Sequence, residues 1–185
     1  MLDAAVVVVP GLGGSSPGHW QSIWQAEHPS WVRSAPTSWD EPVFDDWDRA
    51  VGAAAATAGE PAFLVAHSLG CLTALAFAAR SPDLVRGVFL VAPPDPDAPS
   101  FPSEVLRFAT VTAALGPVPT PTVAVTSTTD PYCAAHRAPE ICRRWGARRI
   151  DIGDAGHINV LSGHGPWPEG REMLRAFVHE VTEQR

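Results

Sequence analysis

The sequence predicts an α/β fold: about six mostly parallel strands in one sheet, with helices on both faces. Three observations predict it. Short apolar runs alternate with longer helical stretches from one end to the other. The clearest runs, Ala4–Pro10 and Ala62–Ala66, are apolar throughout, as strands buried on both faces are. Residues with chemistry to offer fall just after the runs, at the carboxyl ends where such sheets bind ligands.

Each element has its own signal. Ala4–Pro10 reads as a buried strand and Gly11–Gly18 as a Gly/Ser/Pro loop. His19–His28 reads as a helix with Trp20, Ile23 and Trp24 on one face, more core than ligand cage. Trp31–Ala35 is a weak strand, and Pro42–Gly59 is a helix stopped by Gly59. The strand Ala62–Ala66 runs into the helix Leu69–Arg80, which Ser81-Pro82 ends. Gly87–Ala92, Thr122–Thr126 and Arg149–Ile152 complete the strands; Pro139–Trp145 and Glu169–Thr182 complete the helices. Pro93–Pro121 is the one long irregular piece, with a short helix expected at Ser103–Ala109 and Ser103 as its N-cap. A loop of that length is a lid, a binding loop or a mobile segment, and is too short for a separate cap domain.

Size and composition narrow the classes. A chain of 185 residues fits one domain, 1–185, with one sizeable core. With 45% hydrophobic and 18% charged residues it is globular in composition. A net charge of −7 offers no field for nucleic acid or an anionic membrane. All 13 basic residues are Arg; Arg143, Arg144, Arg148 and Arg149 read as a solvated face. Three cysteines without framework spacing read as free thiols in a reducing compartment, and Val6–Val9 is too short to span a bilayer, so a cytoplasmic location is expected. No Cys, His and carboxylate spacing resembles a metal site, and no cofactor is expected.

The strongest motif is Ala66-His67-Ser68-Leu69-Gly70. A strand passes through a serine directly into a helix, the geometry of a nucleophile elbow, usually G-x-S-x-G. The tight turn needs small residues on both sides; Gly70 meets the need and Ala66 replaces the first Gly. The bland alternative is a serine that merely caps the helix. Its company argues against that. Asp130 follows the fifth strand and His157 the sixth, so the order Ser, Asp, His is that of the α/β-hydrolase fold, each at a different strand end. A hydroxyl needs an imidazole to take its proton, and the imidazole needs a carboxylate to hold its tautomer.

Other residues compete. Asp95 and Asp97 follow the fourth strand, in a loop whose mobility suits substrate contact better; Asp154 fits a turn. Asp130 is preferred as the acid. His164 follows the His157 turn and reads as a brace. His67 should point away from Ser68; His28, His136 and His179 read as surface or packing residues. His19 opens a helix near the site and is a candidate pocket residue. Cys71 and Cys133 lie nearby and read as inert. For an oxyanion, the expected donors are the backbone N–H groups of Leu12, in Pro10-Gly11-Leu12-Gly13-Gly14, and of Leu69. A phosphate loop is set aside: there is no G-K-[ST], and Ser16 stands where G-x-G-x-x-G requires its third Gly.

With these residues in place, the chain resembles the small serine hydrolases of the retinoblastoma-binding-protein-9 (YdeN-like) family. The likeness runs through Pro10–Gly14, His19-Trp20-Gln21, Ala66–Cys71, Ser127-Thr128-Thr129-Asp130-Pro131, Gly156-His157-Ile158-Asn159 and Ser162–Pro168. It implies nucleophile Ser68, acid Asp130 and base His157 on a compact α/β-hydrolase without a full cap. It implies ester hydrolysis, with amide or peptide cleavage open and a small ester or amide as partner. The competing non-enzymatic reading is a binding module that retains the fold.

Overall fold

The computed structural model describes residues 4–184, so the outermost positions of the 1–185 span lie outside it. Six strands form one sheet: β1 (Val6–Val9), β2 (Val32–Arg33), β3 (Ala62–His67), β4 (Val85–Val91), β5 (Thr122–Thr126) and β6 (Arg148–Asp151). Their order is β2-β1-β3-β4-β5-β6 and every pair is parallel. Six α-helices connect them: α1 (Trp20–Glu27), α2 (Phe44–Ala58), α3 (Leu69–Arg80), α4 (Leu106–Ala113), α5 (Ala138–Trp145) and α6 (Pro168–Glu183). This is the α/β-hydrolase architecture.

Successive strand side chains face opposite sides of a sheet, and here both sides are apolar. Val7, Val9, Leu64, Leu90 and Ala124 pack against α2, α3, α4 and α5. Val6, Val8, Phe63, Phe89 and Val125 pack against α1 and α6, whose inner faces are Trp20, Trp24, Leu174 and Phe177. The two cores explain why the strands read as continuous apolar runs.

The strand order places the site. After β1 the chain moves outward to β2, then returns to lay β3 on the other side of β1. Loops after β1 and β3 therefore diverge and leave a crevice at this switch point. Gln21, fully buried, ties the crevice floor together. Its side-chain amide donates to Val9 C=O (3.2 Å) and Val65 C=O (3.0 Å), and its own oxygen accepts from the Ser15 hydroxyl (2.6 Å).

Two expectations change. Ser103 is not the N-cap of a helix: it opens a 3-10 turn, Ser103–Val105, and α4 starts only at Leu106, with no side-chain cap. The Pro93–Pro121 segment is not a free loop. Asp95 is buried and accepts from Arg137 Nε (2.7 Å), while Asp97 takes Arg137 Nη2 (2.6 Å) and Arg144. Phe108 of α4 inserts against Phe44 and Trp47. The same ion pairs remove Arg144 from the solvated face, and Arg149 bonds Asp151 (2.7 Å). Among the described residues, no helix is long and apolar enough to cross a membrane. All three cysteines are buried and unpaired.

Candidate active site

Ser68 stands between β3 and α3 at φ 54° and ψ −129°, a conformation costly for a residue with a Cβ, of order 1–3 kcal/mol. The corner is held by close backbone approach. A Cβ on Gly70 would lie 2.3 Å from Pro10 O, and one on Gly11 would lie 2.8 Å from Ser68 Cβ. Neither glycine can be replaced without moving backbone. Ala66, in contrast, sits inside the core with its methyl accommodated, so the first small residue of the motif need not be Gly.

Ser68 occupies the N-cap position of α3 but makes no capping bond. Its hydroxyl lies 2.8 Å from His157 Nε2. His157 Nδ1 lies 3.0 Å from each carboxylate oxygen of Asp130. The Asp130 carboxylate is almost wholly buried and also accepts from Tyr132 N–H (2.9 Å). Three residues from three strand ends thus form one hydrogen-bonded line. Asp154 is turned away, accepting from Thr129 Oγ1 (2.7 Å), and His164 is occupied with Ser162 Oγ (3.2 Å).

The loops bearing Asp130 and His157 are stitched by short polar side chains. Ser127 Oγ accepts from Ala155 N–H (3.0 Å), and Thr129 Oγ1 accepts from Gly156 N–H (3.0 Å). Asn159 and Ser162 close a capping box just beyond His157. Trp20 Nε1–H donates to Ile158 C=O (3.0 Å), anchoring that loop to α1.

The oxyanion-hole candidates border the same cavity, of about 630 Å³, as Ser68 and His157. The β1–α1 loop holds itself through Gly14 N–H to Gly11 C=O (3.1 Å) and Gly13 N–H to Trp39 C=O (3.2 Å), and Leu12 N–H takes no part in these bonds. Leu69 N–H belongs to the first turn of α3, where backbone donors have no helical acceptor. Phe101, Pro102, Val105, Tyr132, Val160 and Leu161 give the same cavity an apolar lining.

Sequence reasoning missed two parts of the frame. Tyr132 stands edge-on to the His157 ring, centroids 4.6 Å apart; its place two residues after Asp130 was the available signal. His67, set aside as pointing away from Ser68, reaches the backbone of the next catalytic candidate: its Nε2–H donates to His157 C=O (3.0 Å). Burial, then the neighbouring His157 and His19, pushes His67 well below the usual imidazole range. Burial likewise raises the Cys71 thiol, and Cys133 is pushed up to about 12, so neither supplies a thiolate near neutrality.

Comparisons with known proteins give the family and the fold. Residues 6–176 match the family model described as serine hydrolase. A protein of Pectobacterium atrosepticum assigned as a YdeN-like hydrolase is 32% identical, covers 96% of this chain and 91% of its own, and superposes with a TM-score of 0.85. The ydeN gene product of Bacillus subtilis, 18% identical, covers 94% of this chain and 98% of its own with a TM-score of 0.76. A Paleococcus ferrophilus monoacylglycerol lipase, 15% identical, covers 97% and 94% with a TM-score of 0.71. At these lower identities the likeness is one of fold. No curated protein matches the sequence.

Proposed function

Because the chain belongs to the serine hydrolase family, among YdeN-like hydrolases, we propose that it cleaves small carboxylic esters through an acyl-enzyme, with Ser68 as nucleophile, His157 as base and Asp130 as the orienting acid. The observation that carries this reading is the unbroken line from Ser68 Oγ through both His157 ring nitrogens to Asp130. The narrower kinship with retinoblastoma-binding-protein-9 belongs to the same proposal and rests on the shared sequence blocks.

With the His157 proton on Nδ1 and donated to Asp130, Nε2 accepts from the Ser68 hydroxyl. Ser68 Oγ attacks the ester carbonyl carbon as its proton passes to Nε2. The oxygen that gains charge faces the N–H groups of Leu12 and Leu69, at the positive end of α3. Collapse of the tetrahedral species returns the Nε2 proton to the departing alcohol and leaves an acyl group on Ser68. A water then gives a proton to Nε2 as it adds to the acyl carbon, and collapse of this second tetrahedral species breaks the bond to Ser68 Oγ, returns the Nε2 proton to it and releases the acid. Asp130 stabilises the imidazolium in both halves. Amide cleavage uses the same line of groups, and a small ester or amide is the partner this cavity takes. A protein that only bound partners would have no use for the strained Ser68 backbone.

The test is covalent capture. A fluorophosphonate is expected to modify the chain once, at Ser68, and Ser68→Ala is expected to abolish labelling while circular dichroism stays unchanged. Labelling that persists in a folded Ser68→Ala protein removes Ser68 from the mechanism. A panel of esters against aminoacyl amides then decides the bond cleaved.

A further inference from the structure

His19 belongs to the wall of the same cavity and is only 5% exposed. Its two ring nitrogens have different fates. Nδ1 accepts from Gln21 N–H (3.2 Å) and so caps α1, which leaves Nδ1 without a proton in the neutral ring. The proton must then be on Nε2, and Nε2–H has no acceptor among the described residues. Burial, then Arg33 and His157, lowers His19 to about 4, so the ring is neutral and this tautomer persists at ordinary pH. A buried donor left unmatched is costly, and a ligand oxygen in the cavity that this ring lines is an acceptor for it.

We propose that His19 is a specificity residue whose Nε2–H donates to an uncharged oxygen of the bound substrate, an ether, hydroxyl or second carbonyl oxygen away from the bond that is cleaved. The proposal rests on the hydrolase reading of the Ser68 site. The acceptor is uncharged because the cavity wall includes Asp40 and Glu104 and no Lys or Arg. A carboxylate or phosphate would meet like charge with no cation to offset it. Ser15 and Ser16, in the loop that leads into His19, also line the cavity.

Two substitutions separate the donor from the cap. In His19→Asn the side-chain oxygen can replace Nδ1 as the cap of α1, but nothing reaches the position of Nε2. In His19→Gln the amide nitrogen can stand near Nε2, but the cap is lost. The substrates are esters in which an ether oxygen replaces one methylene at successive positions of the acyl and alcohol arms. In the unsubstituted protein one position is expected to raise kcat/KM about tenfold over its methylene analogue. That ratio should collapse towards one in His19→Asn and persist in His19→Gln. A ratio that stays the same in His19→Asn, or no position that raises it in the unsubstituted protein, overturns the proposal. An ordered water that merely satisfies Nε2 would give the first of these results. Loss of fluorophosphonate capture at Ser68 would instead overturn the hydrolase reading, so the two failures are distinguishable.

Discussion

The two sides of the cavity are built by different physics. The side bearing Asp130 and His157 is held by neutral hydrogen bonds from short side chains: Ser127, Thr129, Asn159 and Ser162, with Trp20 and His67 donating to Ile158 and His157 carbonyls. The Pro93–Pro121 segment, which lines the same cavity, is tied to α5 by the carboxylates of Asp95 and Asp97 on Arg137 and Arg144. Short neutral bonds fix direction and leave little rotamer freedom. The Arg137 guanidinium instead grips Asp95 through two of its nitrogens, a planar fork that joins segments distant in sequence. The comparison teaches that the groups proposed to react are held by bonds between neighbouring loops, while the Pro93–Pro121 wall is fastened by ion pairs to a helix about forty residues on.

The largest effect should come from breaking the rigid side at its centre. Asp130→Asn keeps size and burial, but the amide favours the wrong imidazole tautomer. Turnover is expected to fall about 10⁴-fold with the fold intact, as steady-state kinetics beside a thermal melt would check. A modest loss, or an equal loss from Asp95→Asn, would mean that the two sides share the role of acid.

Acid should separate the two sides next. His19 and His67 are buried and neutral, and their folded values lie below the unfolded value near 6.5. The unfolded chain therefore binds more protons as pH falls below about 6.5, and stability is lost progressively from there. For His19, lowered to about 4, the loss between those pH values amounts to about 3 kcal/mol. The other side resists, because Arg144 and then Arg137 hold the Asp97 carboxyl below its ordinary range, so it stays ionised through this window. Urea unfolding at pH 7 and pH 4.5 should show the decline, and His19→Asn should reduce it.

The smallest effect should come from the ion-paired side. Arg137→Ala leaves Asp95 buried without its guanidinium. The cost is expected to be about 2 kcal/mol, below that of a fully buried pair because the Arg137 side chain is 24% exposed. KM should rise several-fold with kcat changed less. A collapse of kcat with KM unaffected would show that this wall positions the reacting groups as well.

Much of this was legible because it is local. The elbow is spelled by consecutive residues, a strand that passes through Ser68 straight into a helix. Gly59 ends α2 at the residue expected. The Ser, Asp, His order was readable because parallel strands put successive loops on one edge. The role of the Pro93–Pro121 segment was not readable: Asp95 and Asp97 find partners on α5, about forty residues on, and no local pattern records that pairing. Ser103 resembled a cap, but the packing of Phe108 against Phe44 and Trp47 sets where α4 lies.

The sequence by itself determined the alternation of strands and helices, the two-sided core and the strained serine. Each of these depends on side-chain period or on steric limits within a few residues. Only the tertiary structure decided which carboxylate meets His157, and that His19 holds one ring nitrogen on α1 and leaves the other unmatched. It alone brought Trp20 to Ile158, 138 positions away. These contacts depend on where separate strands end relative to one another, and that follows from the packing of the two cores, which no single stretch of chain encodes.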